Sequence, residues 1–215
     1  MSRPRVLLAD DHRMLADALT QVLEPRCEVV GVVSDGRALL EAAAKLNPDI
    51  VVLDIAMPRL NGLDAGRQLK ARMPNVKLIF MTQHEDPYLV GEAFRAGGSA
   101  FLLKEAAASE LIDALDQVLR GGTYVTPSAA EGQNSISLRD PKDRDHAPEL
   151  TSRQREVVQL LAEGRSMKEV ADELGISVRT VAGHKYAVME QLQLKTNSDL
   201  VQYAITHAII SLNRG

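Results

Sequence analysis

Ile50-Val51-Val52-Leu53-Asp54-Ile55-Ala56-Met57-Pro58 is the stretch that decides the fold. Four β-favouring apolar residues run straight into one carboxylate, and a Pro turn closes the run. An apolar run this short reads as a strand buried on both faces, the pattern of a parallel sheet. Its last residue then stands at the carboxyl edge of the sheet, where open α/β folds bind their ligands. A charged Asp at the end of a buried strand is unfavourable unless something pairs with it.

Working outward, Val6-Leu7-Leu8-Ala9 ends in Asp10-Asp11, and Val29–Val33 forms another apolar run. Val76–Met81 ends at Thr82, and Ala100–Leu103 ends at Lys104. Helical spacing fills the intervals over Met14–Leu23, Ala38–Leu46, Leu63–Arg72, Tyr88–Ala96 and Leu111–Leu119. Alternation of strands and helices predicts an α/β doubly wound five-stranded parallel sheet. All the strand ends then converge on one edge. Three carboxylates close together raise one another's pKa unless a cation sits among them. Oxygen-only ligands suit Mg²⁺, which keeps several waters and takes a substrate phosphate oxygen. The Thr82 hydroxyl and Lys104 ammonium suit a phosphoryl oxygen. Singly, Asp10-Asp11 is a helix-capping pair, Thr82 a strand residue and Lys104 a solvated charge. Their joint placement at successive strand ends points to a carboxylate that receives a phosphoryl group. His12 and His84 have no spaced partners and read as surface residues.

Bulk properties narrow the setting. The chain has 215 residues, 45% of them hydrophobic, a net charge of −4 and a single cysteine, Cys27. Without a second cysteine no intrachain disulfide forms, which fits a reducing cytosol. No N-terminal signal peptide and no apolar stretch near the roughly 20 residues of a membrane span is present. The expectation is a cytoplasmic protein without a membrane partner.

Thr126–Glu149 changes character: Pro127, Gly132, Pro141 and Pro148 punctuate serines and a charged run from Arg139 to Asp145. It reads as a tether between domains. Beyond it, Thr151 with Gln154 and Ser166 with Glu169 are capping boxes that open two helices. Gly175 makes a tight turn, Ser177 caps a third helix from Val178 to about Leu192, and a fourth runs from Asp199 to about Ile210. Short helices joined by a Gly-containing turn form a helix-turn-helix, whose second helix normally enters the major groove. From Glu149 on, eight acidic side chains balance eight basic ones, so bulk charge adds nothing to a DNA-binding reading. Distribution is more informative. On the third helix Val181, Val188 and Leu192 share a core face, Arg179, Ala182, Gly183 and Tyr186 lie opposite, and His184 and Lys185 flank the core.

Asp10-Asp11, Asp54 with Met57-Pro58 and Asn61-Gly62, Thr82, and Phe101-Leu102-Leu103-Lys104 resemble the receiver domain of two-component response regulators. Leu150-Thr151, Gln154–Val157, Leu160–Gly164, Lys168–Ala171, Leu174–Ser177, Arg179–Val181 and His184-Lys185 resemble the LuxR-type helix-turn-helix. Together they are similar, almost end to end, to the NarL/FixJ response regulators. That resemblance implies a receiver over 1–122, a linker over 123–148 and a DNA-binding domain over 149–215. It implies that Asp54 is phosphorylated by a sensor histidine kinase. Asp11 and Asp54 then ligate Mg²⁺ directly, the Ala56 carbonyl completes the protein ligands, and Asp10 acts largely through water. Lys104 pairs with the phosphoryl group, Thr82 turns inward to bond it, and Phe101 follows into the vacated space. Arg179, Thr180, Ala182, Gly183, Lys185 and Tyr186 are the DNA-contact candidates, and a homodimer on phosphorylation is expected. Gln83 and Glu105 depart from the family's usual neighbours of the switch Thr and the Lys. Two rivals stand beside a non-enzymatic regulator. One is a relay whose helical module meets protein rather than DNA. The other is a Mg²⁺-dependent aspartyl phosphatase, which resembles a pattern with a second Asp where this chain has Ala56.

Overall fold

A computed structural model describes residues 3–84, 86–130 and 150–210. The first unit runs β1 (Arg5–Ala9), α1 (Arg13–Leu23), β2 (Glu28–Val33), α2 (Gly36–Leu46), β3 (Ile50–Asp54) and α3 (Gly62–Arg72). It continues with β4 (Lys77–Thr82), α4 (Pro87–Arg95), β5 (Ala100–Leu103), α5 (Lys104–Leu119) and β6 (Tyr124–Val125). The strands pair in parallel in the order β2-β1-β3-β4-β5-β6. β3 is fully buried in the middle, and its side chains alternate between two cores. Val51 and Leu53 pack with Leu39, Leu69 and Val90 of α2, α3 and α4. Ile50 and Val52 pack with Leu19, Leu111 and Leu115 of α1 and α5. Each element is thus apolar on the side that the sheet covers, and the uninterrupted apolar run of β3 follows from its coverage on both faces.

Six strands stand where the sequence predicts five. Tyr124-Val125 is too short to carry a periodic pattern, yet Tyr124 N–H donates to Ser99 O (3.2 Å) and Thr126 N–H to Phe101 O (3.0 Å). The first residues assigned to the linker therefore extend the sheet. Most of that linker, residues 131–149, lies outside the described residues. Helix α5 also starts earlier than its leucine spacing suggests. Ala106-Ala107-Ala108 favours helix without marking a face, and Lys104 and Ala107 continue the buried stripe of Leu111, Ala114, Leu115 and Val118.

The second unit has α6 (Ser152–Ala162), α7 (Met167–Leu174), α8 (Val178–Gln191) and α9 (Asn197–Thr206). Both expected capping boxes form, and a third, Thr196 with Asp199, starts α9 two residues before the sequence suggests. Gly175 ends α7 in the left-handed region at φ 64°, which turns the chain into α8. Val157, Leu160, Val170, Ala171 and Val181 form one core layer, and Val158, Val188, Leu200 and Ala204 the next.

Two glycines separate a required absence of side chain from a tolerated one. A Cβ on Gly62 would lie 2.0 Å from the Asp54 carbonyl oxygen, whereas one on Gly183 would meet nothing within 4 Å. In urea unfolding of the full chain, Gly62→Ala should lose about 1–3 kcal/mol, the range for overpacking. Gly183→Ala should gain up to about 1 kcal/mol, because Ala is favoured over Gly inside a helix. A destabilised Gly183→Ala would mean that Gly183 serves some packing role that its open surroundings do not reveal.

Candidate functional site

The ends of β1 and β3 bring Asp10, Asp11 and Asp54 together, and the first residue of α5 brings Lys104. Lys104 Nζ lies 2.8 Å from Asp54 Oδ2 and 2.9 Å from Asp10 Oδ2. All three side chains are buried. Burial pushes the Asp54 carboxyl above the ordinary range; Lys104 opposes that rise and Asp10 adds to it. Burial pulls the Lys104 ammonium down, but Asp54 and Asp10 together leave its pKa above the usual lysine value. Ala56 N–H donates to Asp54 Oδ1 at 3.2 Å. The loop after β3 therefore satisfies one carboxylate oxygen and Lys104 the other.

Donor atoms of Asp10, Asp11, His12 and Asp54 all lie within 4.8 Å of one another. Three carboxylates so close are hard oxygen donors, a set that fits Mg²⁺. His12 corrects a sequence expectation. Its ring is partly exposed, but Nδ1 lies 2.9 Å from Asp11 Oδ1, 3.2 Å from Asp10 Oδ1 and 3.4 Å from Lys104 Nζ. Adjacency to Asp10-Asp11 was the one available signal. His84 stays at the surface, and its backbone N–H donates to Thr82 Oγ1 (3.1 Å). Thr82 and Phe101 are fully buried. Phe101 already sits among Leu89, Val90 and Ala93 of α4, with Ala129 in the same cluster.

The helical unit docks on the loop between β3 and α3. Gln159 of α6 donates from Nε2 to Met57 O (2.7 Å) and accepts at Oε1 from Asn61 N–H (2.8 Å). Arg59 N–H donates to Glu163 Oε1 (3.0 Å), and Arg59 Nε to Glu173 (2.8 Å). Burial pushes the Glu163 carboxyl up, against the N–H groups of Gln159 and Arg59. Arg155 grips Asp64 through Nε and Nη2, at 3.1 and 2.9 Å. Glu156 accepts from Arg37 and Gln68, and Ala208, just beyond α9, packs into the core over α3 and α4. None of these contacts between the two units was foreseen from sequence. On a helical wheel, a Gln or Arg at the edge of an apolar stripe looks the same whether solvent or another domain covers it.

On α8, Arg179, Thr180, Gly183 and Tyr186 are exposed, and Ala182 and Lys185 partly so. Lys185 Nζ lies 5.6 Å from the Tyr186 ring centre, while Val181 and Val188 face the core. The contacts to the first unit described above come from α6, α7 and the end of α9, so the polar face of α8 remains open.

Known proteins with this arrangement share both halves. Residues 6–116 match the family described as response regulator receiver domain, and 148–204 match the LuxR family of bacterial regulatory proteins. The transcriptional regulatory protein MctR of Rhizobium johnstonii is 30% identical over 209 residues, covering 96% of this chain and 95% of its own. LiaR of Bacillus subtilis is 31% identical, covering 96% and 99%. Among solved structures, the RcsB response regulator of Salmonella typhimurium is similar at TM-score 0.67 and 26% identity, covering 94% of this chain and 97% of that one. A structure of RcsB dimers bound to two parallel DNAs matches at TM-score 0.60 and 25% identity, covering 94% and 98%. Among the described residues, no helix is long and apolar enough to cross a membrane.

Arg155→Ala should loosen the docked arrangement. Arg155 is partly exposed and Asp64 keeps Arg67 and Asn61 as partners, so the loss is that of hydrogen bonds to a charged group, about 1.5 kcal/mol, close to a tenfold change in population. Hydrogen exchange at the Asn61 amide, which Gln159 covers, should accelerate by roughly that factor; an unchanged rate would count against Arg155 as a docking contact.

Proposed function

This chain belongs to the response regulators that join a receiver domain to a LuxR-type helix-turn-helix, and on that premise we propose that Asp54 is its phosphoacceptor. It is a DNA-binding regulator of transcription. The observation that carries the phosphoacceptor reading is the buried bridge from Lys104 Nζ to Asp54 and Asp10 at the carboxyl edge of the sheet. A sensor histidine kinase is the donor. The Asp54 carboxylate attacks phosphorus, an O–P bond forms as the N–P bond of the phosphohistidine breaks, and the freed imidazole takes a proton from solvent. Asp10, Asp11, Asp54 and the Ala56 carbonyl are the groups that would hold Mg²⁺. When bound, that ion offsets the negative charge gathering on the phosphoryl oxygens. Lys104 takes a phosphoryl oxygen as well, and so gives up part of its hold on Asp54.

Thr82 and Phe101 carry the signal in this reading. The Thr82 hydroxyl leaves the His84 N–H for the phosphoryl group, and the ring of Phe101, packed against α4, adjusts with it. The receiver takes in residues 1–122 and is closed by β6 at the head of the 123–148 linker, and the DNA-binding domain takes in 149–215. We place the protein in the cytoplasm, acting as a homodimer once phosphorylated. It works as a regulator rather than an enzyme: its relatives are transcriptional regulators, and Ala56 supplies no second carboxylate for turnover. Arg179, Thr180, Ala182, Gly183, Lys185 and Tyr186 are the proposed DNA contacts, supported by the open face of α8.

A small phosphodonor with Mg²⁺ should modify Asp54, and Asp54→Asn should abolish the modification. The modified chain should sediment as a dimer at concentrations where Asp54→Asn stays monomeric, a tenfold gain in affinity corresponding to about 1.4 kcal/mol. An acid-stable label at another residue, or equal sedimentation of both forms, would sink this reading.

The DNA contacts separate by type. Lys185→Ala should weaken binding to all sequences alike and lower the salt slope by about one. Tyr186→Ala should instead change sequence preference. Gel shifts across salt concentrations and operator variants distinguish the two, and a sequence-selective Lys185→Ala would overturn its assignment to phosphate.

A further inference from the structure

A cavity of about 380 Å³ lies between the two units, within the usual size range of small-molecule sites. Helices α3 and α4 supply one wall, and the start of α6 with the end of α9 supplies the other. Three guanidiniums line it. Arg155 holds Asp64 at 2.9 Å, Arg67 bridges Asp64 (2.9 Å) and Glu92 (2.5 Å), and Arg95 holds the same Glu92 through Nε (2.8 Å). Three cations on two carboxylates leave this network one positive charge in surplus. Rings complete the lining, and two of the chain's four tyrosines are here, one on each wall. Tyr88 of α4 is half exposed, with the Arg95 guanidinium 5.9 Å from its ring centre. Tyr203 of α9 stacks on His207, with 4.0 Å between ring centres. Burial and Tyr88 push the Tyr203 hydroxyl up while Arg155 pulls it down, so these side chains act on one another across the cavity. A carbonyl only accepts, so His207 Nδ1 carries the proton shared with Tyr203 O (2.9 Å), and Nε2 of the neutral ring is an acceptor.

We propose that this cavity is a binding site for a small aromatic acid, a planar ring carrying a single carboxylate. The charge of the network selects the acid. A carboxylate matches the flat fork of a guanidinium, and one negative charge balances the surplus that Asp64 and Glu92 leave. The rings select the body of the ligand. A flat apolar group entering between Tyr88 and the Tyr203–His207 stack gains offset or edge-to-face contacts beyond its buried area, and Leu63, Leu89 and Ile209 supply apolar surface around it. A neutral hydrocarbon would leave the charge unbalanced, and an inorganic anion would leave the rings facing water. Neither unit holds the site by itself, because each supplies one wall. A ligand there binds only the docked arrangement and stabilises it by mass action. The lining includes none of Asp10, Asp11, Asp54 and Lys104, so the inference does not depend on the reading of Asp54 as phosphoacceptor.

The test titrates the full chain calorimetrically with 4-hydroxybenzoate, indole-3-acetate and 2-naphthoate, and with the carboxamide of each and inorganic phosphate as controls. At least one acid should bind with a dissociation constant of about 100 μM or tighter, an ordinary strength for a ligand of about a dozen heavy atoms. Its carboxamide should bind about tenfold more weakly, having lost the charge-assisted bonds. Arg95 is the half-exposed end of the network, and Glu92 keeps Arg67 without it. Arg95→Gln should therefore weaken the acid about tenfold and leave the carboxamide nearly unchanged, a difference that a merely structural role would not produce. Tyr88→Leu should weaken acid and carboxamide alike. The acid at ten times its dissociation constant should slow hydrogen exchange at the Asn61 amide about elevenfold, because the site exists only when the units are docked. No acid binding below about 1 mM, phosphate or carboxamide binding as tightly as the acid, or exchange at Asn61 unchanged at saturation would each overturn the proposal.

Discussion

Everything at the functional edge depends on one ammonium group. Asp10 and Asp54 are taken out of water at the ends of neighbouring strands, and each would be costly there alone. Lys104 reaches both from the first turn of α5, and the distances of 2.8 and 2.9 Å leave no room for water between. This arrangement fixes where α5 must begin, how β5 must end and which side of the sheet the helix covers. It also leaves the site one cation short of balance: three carboxylates face a single lysine, with His12 alongside. That deficit is what makes the edge receptive to a divalent ion.

The contact between the two units works by different physics from the cores within them. Inside each unit, stripes of Val, Leu and Ile pack against one another. Between them the contact is built largely from side-chain hydrogen bonds and ion pairs, with Gln159, Arg155, Glu156 and Glu163 on one side and Met57, Arg59, Asn61, Asp64 and Arg37 on the other. A polar contact of this kind gives up less on separation than an apolar one, since water can replace most of its bonds. It suits an interface that opens.

Local regularities were legible in the sequence, and contacts between regular elements were not. Asp10-Asp11, Asp54, Thr82 and Lys104 could be placed together because each ends an apolar run, and parallel strands must bring such ends to one edge. Val181 and Val188 could be assigned to the core because helical spacing separates them from Arg179 and Tyr186. β6 was missed because two residues cannot display a period, and the start of α5 because alanines carry no facing information. His12 was discounted for want of a ligand spaced along the chain, although its partners were its immediate neighbours. Gln159 was invisible for a deeper reason. Its role depends on which surface lies across from α6, and no pattern within α6 encodes that.

β6 has a further consequence, for concentration. By pairing with β5 it anchors the chain to the receiver through Val125, and Thr126 continues the attachment by donating to Glu110 and accepting from Leu103 N–H. The residues between Ala130 and Leu150, even drawn out straight, span at most about 70 Å at ~3.5 Å each. Confined to a sphere of that radius, the second unit meets the first at an effective concentration of about 1 mM. A docking constant as weak as about 100 μM would still keep roughly nine chains in ten closed. Diluting the protein does not change that fraction, because both partners travel on one chain. The closed form therefore withstands scarcity of the protein in a way that an association between two separate chains cannot.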